Sequence, residues 1–317
     1  MIIIKSDPEI DIMRQAGRIT AGARTIARQM VAPGVTTRQI NREVHKFITK
    51  SGATPCFMTD GGFPTAACIS VNDEIIHGIP GDRVLHEGDI VSVDVGARYR
   101  GFNGDCAGTF PCGQCSDEAL RLIRITRQSF FEGIRFARVG YRISDIGHAI
   151  QDYAESYGYS LVREYVGHGV GAGLHEAPEI PNYGKPGHGP RLQKNMTIAV
   201  EPMVNAGDYE VRVLDNGWTV VTADGSLSAH YDGRKISFGA GVYLQSARKW
   251  SAVFENTGTE TAPGEPVMQY DTFEAPFAVD LRVNFDWKVS GRVTLFAEGR
   301  NLINRRLYEY PFYPEYG

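Results

Sequence analysis

DIVSVDVGARYRGFNGDCAGTF, residues 89–110, holds the two acids on which the reading of this chain turns. Ile90-Val91-Ser92-Val93-Asp94-Val95-Gly96 reads as a buried strand, where an ionised carboxylate is costly unless a positive or donating group meets it. Past the turn Tyr99-Arg100-Gly101, a returning strand carries Asp105 between Gly104 and Cys106. A hairpin of this kind sets the two carboxylates side by side, and like charges there require a cation. A metal ion meets that need. So do Arg98, Arg100 or main-chain amides, and these residues alone leave both options open.

At 317 residues the chain has material for one large domain or two smaller ones. A net charge of -4 and a pI near 6.1 give no basic surface, so nucleic acid is excluded as an expected partner. No run approaches the ~18 apolar residues of a membrane helix. The opening Met-Ile-Ile-Ile-Lys, followed by Ser6-Asp7-Pro8-Glu9, lacks the apolar core of a secretory signal, and a cytoplasmic location is expected. The five cysteines (Cys56, Cys68, Cys106, Cys112, Cys115) are then expected as reduced thiols. Cys112-Gly-Gln-Cys115 is a lone CxxC and reads as a surface turn rather than a zinc or redox pair.

Ser6 or Asp7 with Pro8 starts a helix that runs to about Met30, with Ile10, Met13, Ile19 and Ile26 at helical spacing, and Pro33-Gly34 stops it. Thr36 or Thr37 caps a second helix whose face is Ile40, Val44, Phe47 and Ile48, ended by Ser51-Gly52. Ser116-Asp117 opens a long helix to about Arg138, and Ser144 opens another ending near Gly158. These helix pairs read as copies: Gly34, Ile40, Phe47 and Gly52 recur as Gly140, Ile146, Tyr153 and Gly158, each displaced by 106 residues. An internal duplication is the expectation. The same displacement carries Asp94 to Val200, one residue before Glu201, so a second acidic strand is expected in Thr197-Ile198-Ala199-Val200-Glu201-Pro202.

Two histidine stretches, Val166-Gly167-His168-Gly169-Val170-Gly171 and Leu174-His175-Glu176-Ala177-Pro178, lie between these strands. The glycines allow close approach to His168. Beside several acids converging from separate strands, that imidazole reads as a ligand.

Asp94, Asp105, His168, Glu201 and the segment Ser226 to Asp232 together resemble the type I methionine aminopeptidases of the bacterial kind, over residues 1 to about 232. SVNDEIIHGIPGDR, SVDVGARYRGFNGD, VGHGVGAGLHEAPEIPNYG, TIAVEPM and DNGWTVVTADGSLSAHY stand in family order and spacing. The resemblance implies an α+β fold of the pseudo-two-fold "pita-bread" type and a monomer that removes methionine from the N-termini of nascent chains and peptides. It implies two divalent metal ions (Co, Mn, Fe or Zn) held by Asp94, Asp105, His168, Glu201 and Asp232; oxygen donors with one imidazole suit Mn(II), Fe(II) or Co(II). It further implies Glu201 as proton shuttle, His175 as donor to the carbonyl oxygen and His77 near the scissile nitrogen. Phe63, Cys68, His77, His175 and Trp218 are the implied substrate contacts.

The family's bridging Glu after the tyrosine of the SLSAxY motif, and the His and closing strand beyond it, are missing. Here Tyr231 is followed by Asp232-Gly233-Arg234-Lys235, which keeps the charge with a side chain one methylene shorter. A displacement near ~1 Å costs roughly a hundredfold in rate. Impaired turnover is expected, and a catalytically silent binding module of the same fold is the competing reading. Farther on, Phe277, Val279, Leu281, Val283, Phe285, Trp287 and Val289 alternate with polar residues, and Lys235 to Gln245, Lys249 to Asn256 and Arg292 to Leu302 repeat the pattern. Residues 233–317 resemble the C-terminal strands of a TonB-dependent outer-membrane receptor, too few for a barrel of ~8 or more. The chain thus reads as a metallo-aminopeptidase domain, 1–232, joined to a foreign β-rich tail, 233–317. Membrane association is not expected for residues 1–232.

Overall fold

Ser6 caps the first helix in the computed structural model, which describes residues 1–233, 236–237, 281–288 and 292–299. The Ser6 N–H and hydroxyl both donate to Glu9 Oε2 at 2.7 Å, and helix α1 (Asp7–Met30) follows, burying Ile10, Met13, Ala16, Ala23 and Ala27. Thr36 caps α2 (Thr37–Lys50), whose Ile40, Val44 and Ile48 are wholly buried. Each such side chain contributes about 2 kcal/mol of apolar burial. Between here and the middle of the chain come β1 (Thr54–Pro55), the single turn α3 (Cys56–Thr59), β2 (Ala67–Val71) and β3 (Glu74–Ile76). The central hairpin is β4 (Ile90–Tyr99) and β5 (Phe102–Pro111), turning through Arg100 and Gly101, both at positive φ.

The second half repeats this plan. Helix α4 (Asp117–Ile134) stops before the expected Arg138 because the chain tightens, Phe136 N–H donating to Gly133 O and Ala137 N–H to Ile134 O. Helix α5 (Ile143–Ser156) begins one residue earlier than expected, the Asp145 carboxylate accepting from Arg142 N–H at 2.7 Å. Gly34 and Gly140 take φ of 87° and 102°, and Gly52 and Gly158 take 72° and 85°, so the repeated glycines make the same left-handed turns. Beyond lie β6 (Ser160–Leu161), β7 (Gly167–Gly169), β8 (Glu176–Ile180), β9 (Thr197–Ile198), β10 (Met203–Asn205), β11 (Val211–Val213), β12 (Val220–Thr222), β13 (Ser228–His230) and β14 (Ile236–Ser237).

Strand register carries the duplication further. Antiparallel β1 and β4 pair Thr54 with Arg98 and Pro55 with Ala97; β6 and β10 pair Ser160 with Asn205 and Leu161 with Val204. The helix-side residues are displaced by 106 and the strand-side residues by 107, so one residue has been added between them. That addition aligns Asp94 with Glu201 itself. Two helix pairs over antiparallel strands related in this way make the pita-bread fold; Asp94 lies within β4, whereas the acidic strand expected over 197–202 is interrupted, Glu201 falling between β9 and β10.

The chain divides into two units, residues 1–238 and 239–317. In the first, β14 pairs with β9, Ile236 opposite Ile198 and Ser237 opposite Thr197, so a two-residue strand closes the edge where the sequence suggested loss of a closing strand. In the second, β15 (Leu281–Lys288) and β16 (Arg292–Gly299) form an antiparallel hairpin with Leu281 opposite Gly299 and Lys288 opposite Arg292. The expected strand Lys249 to Asn256, and the outer residues of Lys235 to Gln245, Phe277 to Val289 and Arg292 to Leu302, lie outside the described residues. No helix among the described residues is long and apolar enough to cross a membrane. All five cysteines are free thiols. Burial and the nearby Asp89 carboxylate push the Cys112 thiol up to about 11, so the CxxC turn is protonated at neutral pH.

Candidate metal centre and active site

The two acids of the hairpin share a face but are offset. Asp94 stands opposite Ala107, and Asp105 opposite Gly96 two residues along, so both side chains leave the same side of the sheet. Gly104, opposite Ala97, presses β5 onto α1 with no space for a side chain: a Cβ there would meet Thr20 Oγ1 at 2.1 Å and Ala16 O at 2.6 Å. On the far side of β5, Asp232 exchanges main-chain hydrogen bonds with Ala107, at 3.2 and 3.3 Å. Asp94, Ala107 and Asp232 therefore form one row across three strands.

Of the alternative partners for the acidic pair, the Val95 main-chain amide does meet Asp94, whereas the two arginines have other contacts. Arg98 Nη1 is 2.5 Å from Asp60 Oδ2, and Arg100 lies over the ring of Tyr99. Arg24 Nη1 reaches main-chain oxygens, of Ala107 at 2.9 Å and Asp232 at 3.2 Å. Burial, then the charges of Asp105 and Glu201, push the Asp94 carboxyl well above the usual carboxylate range. Burial, then Asp105, Glu201 and Asp94, do the same to Asp232. These acids resist ionisation together, which is the electrostatic demand for a cation.

Glycines bring His168 to them. A Cβ at Gly167 would lie 2.4 Å from Ala199 O, and one at Gly169 2.3 Å from Ala177 O, so β7 threads between β8 and β9 only because both flanking residues lack side chains. His168 Nδ1–H donates to Gly169 O at 2.8 Å, which leaves Nε2 as the lone-pair nitrogen. Nε2 faces Asp105 Oδ2 at 3.6 Å and Glu201 Oε1 at 3.3 Å. Asn182 steadies Glu201 from behind by donating to its main-chain oxygen at 2.9 Å. Although burial opposes ionisation of Glu201, the adjoining imidazoles of His230, His168 and His175 outweigh it and hold its pKa below the usual value.

His230 was not singled out as a site residue in the sequence. It is 2% exposed, its Nε2 has no hydrogen-bond partner among the described residues, and that atom lies 3.6 Å from Glu201 Oε2. The signal was present, since His230 precedes Asp232 by two positions and so shares its face of an extended strand.

Beside the acids lies an apolar cluster. Cys68 pairs with Asp94 across β2 and β4, and burial, reinforced by Asp94 and Asp105, keeps its thiol protonated. Phe63 and Trp218 meet edge-to-face at 5.2 Å, with His77 6.4 and 6.3 Å from their rings. His77 holds a left-handed φ of 58°, with Thr219 Oγ1 donating to its carbonyl at 3.2 Å. Tyr165, edge-on to His77 at 6.0 Å, together with Cys56 and Leu174, completes a wall that sequence reasoning missed. Loop closure alone brings these residues in. His175 meets His168 edge-on with ring centroids 4.4 Å apart, and desolvation lowers the pKa of both His175 and His77.

The expected ligands Asp94, Asp105, His168, Glu201 and Asp232 thus gather around one place. Among the described residues no group of three or more His, Cys, Asp or Glu side chains converges at ligand-bonding distances as it stands. The fit to divalent cations rests on the donor chemistry: Asp94 and Asp232, raised by burial and then by their acidic neighbours, and an imidazole with its free nitrogen turned to Asp105 and Glu201.

Comparison with known proteins agrees. The methionine aminopeptidase of Clostridium acetobutylicum is 54% identical over 233 residues, covering 73% of this chain and 93% of the relative. That of Clostridium perfringens is 53% identical over 232 residues, with the same coverage of both. The crystal structure of the Thermotoga maritima methionine aminopeptidase superposes with a TM-score of 0.74 at 44% identity, covering 75% of this chain and 96% of that one. The pattern described as Metallopeptidase family M24 matches residues 11–245, and with this fold and these buried donors the chain belongs to that family.

Proposed function

We propose that this chain is a metal-dependent aminopeptidase that removes the N-terminal methionine from nascent proteins and peptides. The observation that carries the reading is the row Asp94, Ala107, Asp232 on one sheet face, with Asp105, His168 and Glu201 turned to the same place beside the apolar cluster of Phe63, Cys68 and Trp218. Asp94, Asp105, His168, Glu201 and Asp232 would hold two divalent ions, of the Co, Mn, Fe or Zn type. When bound, such ions supply the Lewis acidity that lowers the pKa of a water and offsets charge developing on a carbonyl oxygen.

The side chains supply the rest. Glu201, kept ionised by its histidine neighbours, accepts a proton from the attacking water and passes it to the departing amine. His175, whose partial desolvation lowers its pKa and so favours the neutral imidazole, donates to the carbonyl oxygen of the scissile bond. His77 stands beside the scissile nitrogen. Phe63, Trp218 and the uncharged Cys68 thiol receive the methionine side chain, which suits polarisable and aromatic walls.

The peptidase domain, expected over 1–232, takes in β14 and runs to residue 238, acting as a monomer in the cytoplasm. The remainder, 239–317, is a foreign β-rich element resembling outer-membrane receptor strands, and sequencing the codons from Tyr231 through residue 239 checks that junction. For the activity, chelator-treated full-length protein is titrated with Mn(II) or Co(II) and offered Met-Ala-Ser. Release of methionine that follows metal content is the expected result. No release with either ion overturns the enzyme reading and leaves the silent binding module.

A further inference from the structure

Lys5 and Glu176 form an ion pair across 171 residues of sequence, and their side chains are only 3% and 8% exposed. The other lysine pairs among the described residues, Lys46–Glu43 and Lys194–Asp7, lie on the surface. Both ends are anchored further. Lys5 N–H donates to Asn195 O at 3.0 Å, and its ammonium also donates to Ile3 O at 3.0 Å. Glu176 Oε1 accepts from Gly173 N–H at 2.9 Å.

What the pair encloses is the turn between the two site histidines. At Gly171 an added Cβ would lie 2.4 Å from Lys5 Cε and 2.7 Å from Glu176 Oε1, so the lysine stem runs directly against the backbone of that turn. From the opposite side Asn103, two residues before Asp105, donates its amide to Ala172 O at 3.0 Å and its N–H to Gly171 O at 2.8 Å. His175 is the residue next to Glu176, and its ring meets that of His168 edge-on. The turn is therefore held by Asn103 on one side and by the Lys5–Glu176 pair on the other.

A buried ion pair is a poor source of stability, because desolvation offsets the attraction and an apolar replacement of similar volume is often as stable. It is directional, however, and a buried carboxylate left without its partner must move toward water. We infer that Lys5 is a positioning residue: through Glu176 it fixes the 171–176 turn and so the placing of His175 against the reacting bond. This rests on the role proposed above for His175.

The test uses full-length wild type, Lys5→Met, Lys5→Arg and the double variant Lys5→Met/Glu176→Gln, all with saturating Mn(II) and Met-Ala-Ser. The expected result for Lys5→Met is a kcat lower by about ten- to a hundredfold, the scale of an ångström-level misplacement, with KM and Mn(II) affinity within about threefold of wild type. Amide exchange in residues 171–177 should rise. The double variant, with neither charge buried alone, should recover the wild-type melting temperature yet keep the low kcat, and Lys5→Arg should recover part of the activity. Should Lys5→Met fail to fold, the double variant still decides. Wild-type kcat and wild-type exchange in the double variant would overturn the inference. Absence of turnover in the wild type would instead remove the functional reading, while exchange in 171–177 still reports whether Lys5 holds the turn.

Discussion

His230 and His168 approach opposite oxygens of one carboxylate: His230 Nε2 is 3.6 Å from Glu201 Oε2, and His168 Nε2 is 3.3 Å from Glu201 Oε1. At 3.6 Å the first contact is long for a hydrogen bond, and a shift of a few tenths of an ångström would make it one. A hydrogen bond to a charged group contributes about 1.5–3 kcal/mol. His230→Ala removes that support from Glu201 and leaves a hole beside it. The expected outcome is a kcat/KM on Met-Ala-Ser lower by roughly ten- to a hundredfold, since ~1.4 kcal/mol is a factor of ten. His230→Gln, which keeps a donor at the same height, should lose less. Steady-state kinetics of the two variants side by side check this.

Asp232 occupies the end of the row that begins at Asp94, with its main chain paired to Ala107 and its side chain 4% exposed. Its carboxylate stops one methylene short of the Glu found there in the type I aminopeptidases. Asp232→Glu is expected to raise kcat/KM, and, if the proposed pair of ions is held, Asp232→Ala to lower the number of tightly held Mn(II) ions to one per chain. Metal analysis after gel filtration, with peptide kinetics, reads both. Two ions retained by Asp232→Ala would remove this residue from the ligand set.

Much of this architecture is legible in the sequence, because the signals are local. The four long helices announce themselves through caps and apolar spacing, and the duplication through glycines that need positive φ at matching places, Gly34 with Gly140 and Gly52 with Gly158. The acids Asp94 and Asp105 stand out as charges in an apolar hairpin. The pairing of β7 with β8 and β9 does not, since strands of two to five residues are too short to show a period and the contact depends on space left by Gly167 and Gly169. Tyr165, Leu174 and Lys5 are invisible for a related reason: what gives them meaning is a loop closure between distant segments.

The pH profile follows from the partly desolvated imidazoles of His77 and His175. His77 and His175 have pKa values lowered first by burial, and for His175 next by His168. Each therefore stays neutral below the ordinary imidazole value of about 6.5. If neutral His175 is the donor, kcat/KM at saturating metal should remain level as pH falls through 6.5 and decline only below it. Folding responds with the same sign. Below 6.5 the unfolded chain takes up protons that the folded histidines refuse, so their contribution is fully present above 6.5 and is lost as pH falls toward the lowered folded values. Kinetics in overlapping buffers and denaturant titrations over the same range measure the two effects, and removing one imidazole in His77→Phe should flatten the second.

Gly104 gives a test of how the helix places Asp105, the proposed metal ligand. Its strand lies so close to α1 that a Cβ would sit 2.1 Å from Thr20 Oγ1 and 2.6 Å from Ala16 O, and Thr20 Oγ1 already donates to that same carbonyl at 2.7 Å. The obstruction is helix backbone as well as side chain, so rotamer changes cannot relieve it. Gly104→Ala must push β5 away from α1, and the next residue on β5 is Asp105. Overpacking of this kind costs about 1–3 kcal/mol. Thr20→Ala removes one of the two obstructing groups but leaves Ala16 O in place. The double variant Thr20→Ala/Gly104→Ala should therefore recover part of the lost stability, while Mn(II) affinity stays below wild type because Asp105 remains displaced. Thermal melts with and without Mn(II) separate the two: a Gly104→Ala protein that loses stability but binds Mn(II) as tightly as wild type would show that α1 supports the fold without placing the ligand.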